Sequence, residues 1–74
     1  MSQTAGAWLK MEGIRSPADC ASARSALALI QGVSEVRLTE DCKEARVLFD
    51  PTKVGTDQFL RALHAVGFVS RLGG

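Results

Sequence analysis

From Ala7 to Glu12 the chain alternates, with Leu9 and Met11 on one side and Trp8, Lys10 and Glu12 on the other. A two-residue period of this kind predicts a half-buried strand, and Gly13 ends it. The period then lengthens: Cys20, Ala23, Leu27 and Ile30 recur at three- and four-residue spacing, the buried stripe of an amphipathic helix reaching to Gln31. Its start is well marked. Ser16 stands at the cap, Pro17 at the first helical position and Asp19 at the third, a capping box of the S-x-x-D type. Gly32 supplies the stop. Alternation returns over Val33 to Thr39, residues 40–43 read as a turn, and Ala45, Val47 and Phe49 form the inner face of a third strand broken by Asp50-Pro51. Phe59, Leu60, Leu63 and Val66 mark a second helix from Thr56, its expected cap, to Val66. Gly67 closes it, and residues 68–72 read as a last strand.

The predicted order is strand, helix, strand, strand, helix, strand. Two one-sided helices must both cover one face of a single sheet. Right-handed crossovers then favour an antiparallel four-stranded sheet of order 4-1-3-2, which is the α+β ferredoxin-like βαββαβ sandwich. The 74 residues read as one domain with an ordered core over about residues 7–72, and no repeat or linker interrupts it.

Composition narrows the function classes more than it selects one. Nine Lys and Arg against eight Asp and Glu leave a net charge of +1, too balanced to predict nucleic-acid binding. No apolar run approaches the roughly 20 residues of a membrane span, and residues 1–6 lack the basic and apolar regions of a signal peptide. The expected location is cytoplasmic, and neither a membrane nor a nucleic acid is an expected partner. In that setting Cys20 and Cys42 are expected to be free thiols or ligands, not a structural bridge. No acid, base and nucleophile can be assembled into an enzyme site.

Several short motifs, taken together, resemble those of heavy-metal-associated domains, the small domains of copper chaperones and metal-pumping ATPases. Leu9-Lys10-Met11-Glu12-Gly13-Ile14 is similar to their first strand. Leu27, Gly32 and Val33 are similar to the exit of their first helix, Phe49-Asp50-Pro51 to the end of their third strand, and Ala65-Val66-Gly67-Phe68 to the exit of their second helix. The match runs without a gap over roughly residues 8–72. The resemblance implies the fold already derived, Cu(I) or another soft ion as ligand, and a protein partner such as a metal-transport ATPase or a similar domain. It also implies a Met-x-Cys-x-x-Cys motif in the first loop. At those positions this chain has Ile14, Ser16 and Asp19.

Hydroxyl and carboxylate oxygens are hard donors, poorly matched to a soft cation. Ser16 and Asp19 therefore read as helix caps standing at the family's ligand positions. Cys20 is one residue too late for the second ligand, a rotation of about 100° around a helix. It reads either as a small buried core residue or as a thiol activated by the first helical turn. Cys42 reads as an exposed, unpaired turn cysteine. It lies at the same end of the sheet as Cys20, so a two-thiol site or a disulfide is conceivable if their Cα atoms lie within about 7 Å. His64 falls off the apolar stripe of the second helix and reads as exposed. The open sheet face should present Trp8, Lys10, Arg37, Arg46, Leu48, Val69 and Arg71, a surface suited to protein docking or, less well, to single-stranded RNA. The expected function is a docking or regulatory module with weak or altered metal binding. The alternative is a working Cu(I) carrier that uses Cys20 with Cys42 or with a partner's thiol.

Overall fold

A computed structural model describes residues 4–73. The elements follow in the order β1 (Ala5–Glu12), α1 (Pro17–Ala28), β2 (Val33–Leu38), β3 (Glu44–Phe49), α2 (Thr56–Ala65) and β4 (Val69–Gly73). The strands form one antiparallel sheet of order β2-β3-β1-β4, which is the expected 4-1-3-2 read from the other edge. Both helices lie on one face, so the ferredoxin-like sandwich holds.

Alternation does the sorting. Leu9, Ala45 and Val47 have no exposed surface, and Ala7, Met11 and Phe49 are buried beside them. From above, α1 contributes Ala23 and Leu27 and α2 contributes Phe59 and Leu63, all fully buried. Phe49 and Phe59 meet edge to face with ring centroids 5.0 Å apart, the arrangement that the ring quadrupoles favour. Burying a side chain of the size of Phe59 contributes about 1.5–3 kcal/mol, so a small core depends on a few such residues.

The boundaries differ from the sequence expectations at several places, β2 ending one residue early at Leu38 and β4 running over Val69–Gly73 instead of 68–72. β1 starts two residues earlier, at Ala5, because Ala5–Ala7 still pair with Val47–Phe49 on β3. α1 ends at Ala28 instead of Gln31. The Ile30 amide bonds to the Leu27 carbonyl and the Val33 amide to the Ile30 carbonyl, a tightening that reverses the chain toward β2. Gly32 completes the reversal at φ +102°, where an added Cβ would stand 3.0 Å from both Lys53 and Val54, so a larger residue would be strained and crowded. For α2 the cap is Gly55, not Thr56, and the Gln58 side chain accepts from the Gly55 amide at 3.1 Å. Val66 lies past the end of that helix and is exposed, so it leaves the predicted stripe.

Candidate functional site

The β1–α1 loop and the β2–β3 hairpin tip emerge at the same end of the sheet, and all four residues singled out as ligand candidates stand there. Ser16 has the extended backbone of a helix cap, and its Oγ accepts from the Asp19 amide at 3.3 Å. Asp19 reaches back in turn, but to the Arg15 amide at 2.9 Å, one residue beyond the partner of a standard capping box. Its carboxylate also lies in the first turn of α1, where the helix dipole favours negative charge. Both side chains thus hold backbone amides of the helix start.

The hairpin tip is built differently. The Cys42 amide bonds to the Thr39 carbonyl at 2.9 Å, closing a four-residue turn, and the Thr39 amide bonds to the Glu44 carbonyl at 3.0 Å. Inside the turn Asp41 Oδ1 accepts from the Thr39 hydroxyl at 2.7 Å and from the Lys43 amide at 3.0 Å. These bonds, the hydroxyl first, hold the Asp41 carboxyl below the usual carboxylate range. Cys42 itself has φ +57°, and among the described residues it alone takes a positive φ without being glycine. The left-handed region costs an ordinary residue about 1–2 kcal/mol. Cys42 is nevertheless buried, at 8% exposure.

The turn brings Cys42 onto the first turn of α1, where it is joined to Cys20 in a disulfide with Cα atoms 5.9 Å apart. Two sequence expectations are corrected here. Cys42 is neither exposed nor unpaired, and the two thiols are bridged instead of free. The physical reason is the left-handed residue, which packs the tip against α1 instead of letting it project into solvent. Hydropathy alone carries no signal of this; two isolated cysteines on neighbouring loops at one sheet end are the available clue. Cys20 is half-buried. Shallow grooves flank the bridge, one bounded by Pro17, Arg24, Leu38 and Glu40, the other by Ile14, Arg15, Ser16 and Asp41.

The other candidates sit on α2 and on the open sheet face. His64 is exposed on α2. On the open sheet face Lys10, Arg37, Val69 and Arg71 are exposed, Leu48 is half-buried, and Arg46 stacks over the Trp8 ring at 5.9 Å from its centroid. Among the described residues no three His, Cys, Asp or Glu side chains converge into one cluster. Cys20 and Cys42 are the two cysteines of the chain, and their sulfurs stand together at the end of the sheet that carries the hairpin tip. Among the described residues, no helix is long and apolar enough to cross a membrane.

No family model and no curated protein matches the chain. Solved structures do. Oxidised MerP from Ralstonia metallidurans CH34 superposes with a TM-score of 0.91 at 25% identity, over 97% of this chain and 100% of its own. The CopZ metallochaperone gives 0.84 at 24% identity, over 90% and 100%. The N-terminal domain of a potential copper-translocating P-type ATPase from Bacillus subtilis, in its Cu(I)-loaded state, gives 0.89 at 21% identity, over 97% and 90%. The chain shares its ferredoxin-like fold with these structures.

Proposed function

We propose that the chain is a heavy-metal-associated-type domain that holds one soft ion of the Cu(I) class between Cys20 and Cys42 in the reduced state. The observation that carries this reading is the 5.9 Å Cα separation, which puts two sulfurs within reach of one small ion. Soft cations prefer sulfur, and Cu(I) accepts few ligands, so a thiolate pair is a sufficient donor set. Each thiol gives up its proton on binding, so uptake releases protons and weakens in acid. Ser16 and Asp19 are occupied with the α1 amides and offer only oxygen, so they take no part. What the chain keeps from the family's arrangement is the end of the fold at which metal is held; what it changes is the pair of elements supplying the sulfur.

The natural partner on this reading is another protein able to receive the ion, such as a metal-transport ATPase or a domain of like fold. The reduced dithiol suits a reducing compartment such as the cytoplasm. Anaerobic titration of the reduced protein with Cu(I) against a competing chelator tests the proposal. One ion per chain is expected, lost in both Cys20→Ala and Cys42→Ala and kept in Ser16→Ala. Unchanged retention in Cys20→Ala would reject the site.

The second reading is the docking or regulatory module with weak or altered metal binding. The completeness of the α1 cap favours it, because the first loop is built for local structure. The same titration separates the two, since such a module leaves Cu(I) with the chelator in every variant.

A further inference from the structure

We infer that the Cys20–Cys42 bridge is a redox gate on that soft-ion site, opened by a small external thiol that attacks Cys20. The inference rests on the two-sulfur reading above and adds how the site is regulated. A bridged pair has no thiolate to donate, so the ion can be taken up only after two electrons enter the bridge.

The structure makes the two sulfurs unequal. Cys42 is buried at 8% exposure within a turn whose backbone it strains. Cys20 is half-buried, and the shallow grooves flanking the bridge reach both cysteines, so the difference between them is one of exposure. Access selects which sulfur is attacked in thiol–disulfide exchange, and here access favours Cys20. An external thiolate bonds to Cys20 Sγ, the Cys20–Cys42 bond breaks, and its electron pair leaves on Cys42, which then takes up a proton. A second external thiolate attacks the external sulfur of the mixed disulfide and expels Cys20 as thiolate. The products are two protein thiols and one external disulfide. Expulsion of Cys20 is helped by its place in the first turn of α1, where the positive end of the helix dipole favours a thiolate. A Cu(I) ion then displaces the remaining thiol protons. The reverse passage, driven by an external disulfide, closes the site again.

Full-length protein is prepared in bridged and reduced forms, freed of reagent, and titrated anaerobically with Cu(I) against a chelator, before and after addition of glutathione. Reduced protein should bind one ion, bridged protein should retain at least about tenfold less, and glutathione should restore binding to the bridged form. Equal binding by bridged and reduced forms overturns the gate and leaves the soft-ion reading standing. Failure of both forms to bind overturns the reading and the gate with it. The order of attack is tested separately by treating the bridged protein with glutathione, quenching in acid and mapping the mixed disulfide by mass spectrometry. Glutathione should be found on Cys20 in at least about tenfold excess over Cys42. Equal labelling, or more glutathione on Cys42, overturns the assignment of Cys20 as the attacked sulfur.

Discussion

At the start of α1 two side chains serve the backbone, whereas at the tip of the β2–β3 hairpin the backbone bends to serve one side chain. Ser16 and Asp19 satisfy amides that the helix would otherwise leave bare, and both residues are of the types that do this best. Cys42 stands where glycine or asparagine would relax the turn, yet it takes φ +57° and is buried against α1. One loop is held by oxygen acceptors without strain; the other holds sulfur and carries strain. The difference teaches where to look for function: residues that fit their local surroundings fully need no further explanation, and the one that breaks a local rule does.

Opening the bridge gives the largest effect. It closes a segment with a sequence separation of 22, so loop entropy assigns it about 3.4 kcal/mol. Reduction, or Cys20→Ala, should lower the melting temperature by roughly 15–25 °C in a domain of this size. A calorimetric shift of only a few degrees would mean that the two turns stay docked without the covalent bond. Next comes the strain itself. With the bridge absent in both, Cys42→Gly should be more stable than Cys42→Ala by about 1–2 kcal/mol, because only the alanine must force a Cβ into the left-handed region. Denaturant midpoints measure the difference, and a preference for alanine would show that the turn relaxes once the bridge is gone.

Much of this was legible beforehand, for identifiable reasons. Leu9 and Met11 against Trp8 and Lys10, and Phe59 with Leu63 on α2, obey the two periods that burial imposes, and the strand order follows from covering two helix stripes with one sheet. The end of the sheet holding the candidate sulfurs was legible too, because it follows from topology. The state of Cys42 was not. Hydropathy cannot say which residue of a four-residue turn adopts the left-handed conformation, and cysteine is not a residue expected there. The Gly55 cap was missed for a related reason: Thr56 has the better capping side chain, but the backbone of Gly55 is the one extended at the helix start, and Gln58 supplies the acceptor from within.

The helix side of the comparison predicts a smaller change. Ser16→Ala removes the acceptor for the Asp19 amide and should cost about 1 kcal/mol, read from the denaturant midpoint, while leaving Cu(I) retention intact. A loss of metal with little loss of stability would return Ser16 to the ligand set and undo the contrast between the loops.

The smallest effect lies in the acid limb of stability. Asp41 is held below the ordinary carboxylate range by the Thr39 hydroxyl and the Lys43 amide, and Asp50 by the hydroxyl and amide of Thr52. A carboxylate with a depressed folded pKa binds fewer protons folded than unfolded. Its contribution is therefore present above the unfolded value and is lost as pH falls through the folded one. Stability should decline below about pH 4, and Asp41→Asn should remove part of that decline, so the two midpoints converge as acid is added. Both carboxylates are solvent-exposed, which keeps the effect small. Parallel midpoint curves for the two proteins would show that the Thr39–Asp41 bond contributes nothing that depends on charge, leaving the bridge alone to hold the hairpin tip against α1.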